Sequence, residues 1–141
     1  MLDQIDIQDI VIIAKDAGQA IMEIYIQDFA VEFKTDNSPL TIADRKANEI
    51  IVTSLNRLPV NTLLKQSIPI LSEEGRNVPY DERKNWDYFW LIDPLDGTKE
   101  FVKRNGEFTI NIALIHKKTP VLGVVYSPVL NVCYWAKSNE G

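Results

Sequence analysis

The chain has 141 residues, 45% of them hydrophobic, which is enough for one compact domain with a sizeable core and is not typical of a disordered chain. Twenty Asp and Glu residues outnumber fifteen Lys and Arg residues, and the net charge of −5 argues against a surface that binds long nucleic acids nonspecifically. With one cysteine, Cys133, and one histidine, His116, the chain can form neither an intramolecular disulfide nor a multi-cysteine zinc site, so any metal should be bound by oxygen.

The first part of the chain is predicted to form two helices. Over residues 2–26, isoleucine and alanine recur at spacings of three and four, which places them on one face of a long amphipathic helix. A second amphipathic helix is expected to begin with Thr41 as its cap and to end at Pro59. Between the two helices, residues 30–34 have a strand pattern and residues 36–39 have the composition of a turn.

Five later segments are rich in apolar and β-branched residues and are expected to be strands: 69–71, 88–92, 108–115, 121–126 and 132–136. Two helices covering one face of a largely antiparallel sheet is the simplest assembly of these elements. The fold class is therefore α+β. A single domain over residues 1–141 is expected, because no repeat, low-complexity tract or linker interrupts the sequence.

Acidic residues follow two of the predicted strands. A buried-looking strand runs directly into Asp93-Pro94-Leu95-Asp96-Gly97, where the proline and the glycine are expected to force a tight bend that lets Asp93 and Asp96 face one point. Upstream, the strand at 69–71 leads into Glu73 and Glu74. Mg²⁺ is commonly held by one or two carboxylates together with a substrate phosphate, so these strand ends supply candidate metal ligands.

Each acidic motif also has an ordinary structural explanation. The sequence Asp-Pro-x-Asp-Gly fits a solvated turn about as well as a metal site, and Glu73 and Glu74 fit an exposed loop. Asp44 lies three residues after Thr41 and fits the acidic partner of a capping box, which would stabilise the helix by about 1 kcal/mol. Asp36 fits a residue that braces an Asx-turn.

His116 and Cys133 are not expected to take part in catalysis. His116 lies beside two lysines at the end of a predicted strand, which is typical of a hairpin surface. Cys133 is expected to be buried rather than nucleophilic. No Ser-His-Asp or Cys-His arrangement is therefore expected.

Three motifs occur in order along the chain: Lys-Thr-Asp-Asn-Ser-Pro-Leu-Thr-Ile-Ala-Asp at 34–44, Leu-Ser-Glu-Glu-Gly at 71–75 and Asp-Pro-Leu-Asp-Gly-Thr-Lys-Glu-Phe at 93–101. Together they resemble the lithium-sensitive, magnesium-dependent phosphomonoesterases of the inositol monophosphatase superfamily, and the resemblance covers essentially the whole chain. Within that superfamily the chain is most similar to the bacterial 3′(2′),5′-bisphosphate nucleotidases, through residues 99–101 and 104–114.

The resemblance implies that the acidic residues bind Mg²⁺. Glu73, Asp93 and the backbone carbonyl of Leu95 are implied to hold one Mg²⁺ ion, and Asp93 and Asp96 are implied to bridge to a second. Two ions about 3.5 to 4 Å apart can activate water on one side of a phosphorus atom and stabilise the leaving oxygen on the other.

The resemblance also implies which residues act on water and on phosphate. Asp36 is implied to be the general base, orienting water together with the hydroxyl of Thr98. Residues implied to bind the substrate are Glu73, Leu95, Asp96, Gly97, Thr98 and Lys99. Glu74 and Asp44 are assigned supporting positions at the same site.

The implied reaction is hydrolysis of 3′-phosphoadenosine 5′-phosphate to AMP and phosphate, a housekeeping step for sulfate assimilation. Members of the superfamily continue for about as long again, with a second α/β domain and a Trp-Asp motif that completes the metal site. This chain is therefore expected to be an N-terminal portion that is inactive alone. The alternatives are an inositol or sugar phosphate phosphatase of the same superfamily, and a non-catalytic folding or interaction fragment.

The expected partner is a small phosphorylated nucleotide rather than a nucleic acid polymer, and the chain alone is expected to self-associate through uncovered apolar sheet surface. The acidic N-terminus and the short apolar runs argue against a secretory signal or a membrane span, so the cytoplasm is the expected location. The resemblance leaves open a peripheral association with the cytoplasmic face of the inner membrane.

Overall fold

The computed structural model describes residues 2–25, 39–65, 67–72, 83–97, 101 and 106–138. A short 3₁₀ turn at Leu2–Gln4 precedes three helices: α1 (Ile7–Tyr25), α2 (Pro39–Asn56) and α3 (Pro59–Leu64). Five strands follow: β1 (Ile70–Ser72), β2 (Tyr88–Asp96), β3 (Thr109–His116), β4 (Thr119–Ser127) and β5 (Val132–Lys137). They form one sheet in the order β1-β2-β3-β4-β5, with β1 and β2 parallel and the other neighbours antiparallel.

This architecture confirms the predicted α+β fold. The five strands lie close to their predicted positions, although β2 runs on through Asp96 instead of ending at Ile92. The short helix α3 was not predicted. Pro59 occupies its first turn, where backbone N–H groups have no intrahelical partner, so the N–H group that proline lacks costs the helix no hydrogen bond. The strand predicted at 30–34 lies outside the described residues, as does the turn predicted at 36–39 up to Ser38.

The second helix begins earlier than predicted, at Pro39. Proline is favoured at the start of a helix because its fixed φ suits the first turn. Thr41 therefore lies inside α2 and is not its cap, so the prediction of a Thr41 cap is wrong. The capping-box explanation of Asp44 is wrong for the same reason.

The helices bury one continuous apolar face against the sheet. The fully buried residues of α1 and α2 are short or branched and recur at helical spacing: Ile10, Ala14, Ala17, Ile21, Ala43, Ala47 and Ile51. Alternate residues of the central strands complete this core: Trp90, Ile92, Ile110, Ile112 and Leu114. None of the helices in the described segments is long and apolar enough to cross a membrane.

The other face of the sheet, called the open face here, carries exposed apolar side chains. Leu91, Val125 and Tyr134 are 42%, 41% and 70% exposed. Val125 is paired with Asn111 on one side and with Tyr134 on the other, and paired residues point to the same face. The open face therefore combines an apolar area with polar side chains near the carboxyl end of β2.

Gly18 marks a close approach between α1 and the residues of β4. A Cβ atom at Gly18 would lie 2.6 Å from Cε2 of Tyr126 and 3.3 Å from Cγ of Pro128. The tyrosine ring is held in place because it is buried and its hydroxyl donates a hydrogen bond to Asn131 Oδ1 at 2.8 Å. We expect Gly18→Ala to lower the free energy of unfolding by about 1–3 kcal/mol, although the same change in an unobstructed helix is stabilising by about 1 kcal/mol.

Urea unfolding followed by circular dichroism tests this expectation. Gln19→Ala is the matched control, because Gln19 is the exposed neighbour of Gly18 on the same helix and its replacement should leave stability nearly unchanged. A Gly18→Ala chain as stable as the wild type would show that α1 can shift away from Tyr126 at little cost.

Candidate active site

A one-residue bulge near the end of β2 turns Asp93 and Asp96 to the same face of the sheet. Asp93 pairs with Asn111 and Asp96 pairs with Thr109, so three steps along β2 match two steps along β3. In a regular strand, residues three apart point to opposite faces. The extra residue reverses that alternation, and both carboxylates lie on the open face beside Thr109 and Asn111.

Pro94 and Leu95 occupy the bulge, and both are buried. Proline cannot donate to the ladder and is tolerated within an inner strand at a bulge. The tight bend predicted between Asp93 and Asp96 is therefore wrong in form, because β2 continues as a strand through Asp96. A bulge, rather than a bend, brings the two carboxylates to one face.

Two side chains of β3 form a hydrogen-bonded row with Asp96. Asn111 donates from Nδ2 to Asp96 Oδ2 at 3.1 Å, and Thr109 donates from Oγ1 to Asn111 Oδ1 at 3.1 Å. Asp96 is exposed, whereas Asp93 is half-buried. The sequence alone does not reveal Thr109 and Asn111 as site residues, because only the register of β3 against β2 brings them to the carboxylates.

Gly97 and Phe101 are the described residues on either side of residues 98–100, the segment that follows the bulge. Gly97 has φ of +95°, a conformation open mainly to glycine, and its carbonyl accepts a hydrogen bond from the N–H of Phe101 at 2.9 Å. Phe101 is fully buried, with its ring centroid 5.4 Å from those of Tyr25 and Phe108. The two ends of this segment are thus fixed, one at the bulge and the other in the core.

Helix α2 carries Asp44 toward the same edge of the sheet. Asn48 on α2 accepts a hydrogen bond from Ser72 Oγ, at the end of β1, at 2.6 Å. Asn61 in α3 accepts one from the N–H of Ile68, just before β1, at 3.0 Å, so the path from α2 to α3 runs antiparallel to β1. Asp44 lies one turn before Asn48 on the same side of α2 and therefore toward the carboxyl ends of β1 and β2.

Five of the predicted site residues lie outside the described residues: Asp36, Glu73, Glu74, Thr98 and Lys99. Their roles remain predictions. The structure does describe the residues that precede two of them, since Glu73 follows Ser72 and Thr98 follows Gly97 directly in the sequence. Ser72 pairs with Ile92, the residue before Asp93.

The oxygen atoms in this region suit a hard cation as ligands. Asp93 and Asp96 present carboxylate oxygens on one face, and such oxygens are the ligands that Mg²⁺ prefers. Within the described segments, no group of three or more His, Cys, Asp and Glu side chains lies close enough to hold a metal ion. A complete ligand set therefore needs further residues, for which Glu73 is the sequence-based candidate.

The positions of His116 and Cys133 argue against catalytic roles. His116 stacks on Tyr88 with ring centroids 4.0 Å apart, and its Nε2 lies 3.0 Å from Asp87 Oδ1, at the end of β2 opposite to Asp96. Cys133 lies half-buried on β5. Burial raises the pKa of its thiol more than the nearby Lys15 lowers it, so the thiol stays protonated near neutral pH and is a poor nucleophile.

Comparison with known proteins assigns the chain to a family. The sequence profile of the inositol monophosphatase family matches residues 1–141, which is the whole chain. The chain belongs to the inositol monophosphatase family. The bulged β2 and its two carboxylates are thus features of a member of that family.

Individual proteins resemble this chain in both sequence and structure. The chain is 48% identical over 130 residues to the 3′(2′),5′-bisphosphate nucleotidase CysQ of Salmonella typhimurium, a match that covers 91% of this chain and 50% of that protein. It superposes on the crystal structure of CysQ from Bacteroides thetaiotaomicron with a TM-score of 0.82 and 49% identity, covering 96% of this chain and 46% of that one. For inositol monophosphatase II from Staphylococcus aureus the TM-score is 0.74 and the identity 27%, covering 95% of this chain and 46% of that one. The chain spans about half the length of the curated relatives it matches.

If Asp93 is a metal ligand, this inositol monophosphatase family chain should bind Mg²⁺ or Ca²⁺ weakly, and Asp93→Asn should weaken the binding by about tenfold or more. Calorimetric titration of both proteins measures the difference. Asp87→Asn is the matched control, because Asp87 pairs with His116 at the far end of β2. Equal binding heats for the wild type and Asp93→Asn would remove Asp93 from the ligand set.

Proposed function

We propose that this chain is the metal-binding portion of a Mg²⁺-dependent phosphomonoesterase that hydrolyses 3′-phosphoadenosine 5′-phosphate to AMP and phosphate. The proposal rests mainly on the 48% identity to a 3′(2′),5′-bisphosphate nucleotidase over 91% of the chain. The bulge in β2 supports it, because it presents two carboxylates on one face where an ion and a phosphate can share ligands.

The proposed ligands come from the carboxyl ends of two neighbouring parallel strands. One Mg²⁺ ion would be held by Glu73, Asp93 and the carbonyl of Leu95, and a second by Asp93 and Asp96. The pairing of Ser72 with Ile92 supports the first set, because Glu73 follows Ser72 and Asp93 follows Ile92 directly in the sequence. Bound Mg²⁺ would make water more acidic and offset charge that develops on the phosphate in the transition state.

A carboxylate must accept the proton of the attacking water. Asp36 is the general base implied by the family resemblance, with the Thr98 hydroxyl orienting the water. Asp44 is a second carboxylate for this role, since the hydrogen bond between Asn48 and Ser72 fixes α2 with Asp44 toward the same edge. The two carboxylates can be distinguished by separate replacement.

The segment that follows the bulge is proposed to bind the substrate phosphate. Successive backbone N–H groups after Gly97 would donate to phosphate oxygens, as the N–H groups at the beginning of a helix can. The ammonium group of Lys99 would add a charge-assisted hydrogen bond. Glu74 is proposed to support the metal ligands or to bind metal itself.

A chimera tests the proposal directly. It joins this chain to the portion of the Salmonella relative that the chain does not match, and phosphate release is measured with and without Mg²⁺. Release from 3′-phosphoadenosine 5′-phosphate should depend on Mg²⁺ and should exceed release from inositol 1-phosphate or a sugar phosphate. The second candidate function is an inositol or sugar phosphate phosphatase, and the structural likeness to the Staphylococcus aureus inositol monophosphatase is the observation in its favour. A preference of the chimera for inositol phosphate would establish it.

The proposal also covers partners and location. The partner is a small nucleotide rather than a nucleic acid polymer, in keeping with the net charge of −5. The cytoplasm is the proposed location, with peripheral attachment at the inner membrane as a variant that a membrane flotation experiment would detect.

A further inference from the structure

We propose that Asn111 is a positioning residue that holds Asp96 as a one-oxygen metal ligand, and that Thr109 in turn orients Asn111. This inference rests on the proposed metal site. It adds two residues of β3 to a site whose predicted members lie in other parts of the chain.

The hydrogen bonds determine which way the Asn111 amide points. The carboxylate of Asp96 can only accept hydrogen bonds when ionised, so the amide atom that faces its Oδ2 at 3.1 Å must be the nitrogen. Oδ1 of Asn111 then faces Thr109, whose hydroxyl donates to it at 3.1 Å. Each contact requires the same orientation of the amide, so the two bonds reinforce one another.

This row leaves one Asp96 oxygen without a hydrogen bond from Asn111. Oδ2 is engaged by the amide, whereas Oδ1 remains available to a cation. Because Asp96 is exposed, its side chain would sample several rotamers if Asn111 did not hold it. It would then lose more conformational entropy on binding an ion. Fixing a ligand through a neighbouring hydrogen-bond donor typically changes metal affinity or activity by about 10–100-fold.

The strand context indicates that Asn111 serves this contact rather than the strand itself. Asparagine is depleted in strands, and Asn111 lies inside β3, half-buried on the open face between Asp93 on β2 and Val125 on β4. An apolar residue of similar size would suit the strand and the open face at least as well. Asn111→Leu should therefore keep the fold while removing the hydrogen bond to Asp96.

The test is Mn²⁺ binding by this chain, measured through the loss of the aqueous Mn²⁺ signal in electron paramagnetic resonance. We expect Asn111→Leu to weaken binding by about tenfold, Thr109→Val to weaken it by a smaller factor, and Thr109→Ser to bind like the wild type. Asn85→Leu and Thr119→Val are the matched controls, because both residues are exposed and remote from the bulge, and they should bind like the wild type. Urea midpoints measured on every variant identify any that fail to fold, and Asn111→Ala, which also lacks the amide donor, then takes the place of Asn111→Leu.

The possible outcomes separate this inference from the proposed function. Loss of binding in Asp93→Asn with unchanged binding in both Asn111→Leu and Thr109→Val would overturn the positioning role and leave the metal site in place. No Mn²⁺ binding by the wild type, or equal binding by the wild type and Asp93→Asn, would overturn the metal site and with it the inference. A larger loss in Asn111→Leu than in Thr109→Val, with Thr109→Ser binding like the wild type, supports the row as described.

Discussion

Replacing Asp36 or Thr98 should lower kcat of the chimera by about 100-fold or more even at saturating Mg²⁺, whereas the loss caused by Glu73→Gln should be partly reversed by added Mg²⁺. A metal ligand contributes through ion binding, so a higher ion concentration compensates for a weaker site. A residue that orients or deprotonates water acts after the ion has bound, so saturation with ions does not replace it.

Steady-state kinetics of each variant across a Mg²⁺ titration measures this difference. Asp87→Asn is a suitable control, since Asp87 carries the same side chain but pairs with His116 at the far end of β2. Full recovery of Asp36→Asn activity with added Mg²⁺ would assign Asp36 to the metal and would exclude it as the general base.

Asp44→Asn belongs in the same series. The structure places Asp44 on α2 toward the carboxyl ends of β1 and β2, and it removes the capping-box explanation that competed with a role at the site. If Asp44→Asn loses kcat at saturating Mg²⁺ while Asp36→Asn does not, the general base is Asp44. If only Asp36→Asn does so, the family-based assignment of Asp36 stands.

Elements with a strong local pattern could be predicted from the sequence. The three- and four-residue spacing over 2–26 is enough to identify α1, although the helix begins later than predicted, at Ile7. The alternation of β3 and β4 identifies both strands, because burial against one neighbouring layer imposes that period. The beginning of α2 was misplaced because two residues compete for it. Thr41 is a favourable cap, but Pro39 already has the φ of a first helical turn.

The bulge in β2 could have been found from spacing alone. Two carboxylates three residues apart on one strand point to opposite faces unless one residue is inserted, and Pro94 in an inner strand is itself a signal for a bulge. The pairing of Asp96 with Thr109 and of Asp93 with Asn111 could not be found in the same way. Register between β2 and β3 depends on contacts between residues that are distant in sequence.

The chain alone should hydrolyse 3′-phosphoadenosine 5′-phosphate at a rate about 1,000-fold or more below that of the chimera. It spans about half the length of the relatives it matches, and its described segments hold no group of three potential metal ligands. An enzyme gains most of its rate from preorganised charges around the reacting phosphate, and removing a single such group costs about 2.7–4 kcal/mol of transition-state stabilisation. Phosphate release by equal concentrations of chain and chimera measures the ratio, and a rate within tenfold of the chimera would contradict the expectation.

The same chain should self-associate through its open face. Leu91, Val125 and Tyr134 place exposed apolar surface on one side of the sheet. Association of two copies through this surface would remove it from water, which is favourable. Size-exclusion chromatography should therefore show dimers or larger species that decrease in Tyr134→Lys, because a charge within the apolar patch resists burial. Leu130→Lys is the matched control, since Leu130 is 69% exposed but lies in the turn before β5, and its replacement should leave association unchanged. A monomeric wild-type chain, or equal effects of the two lysines, would show that the open face does not attract a second copy.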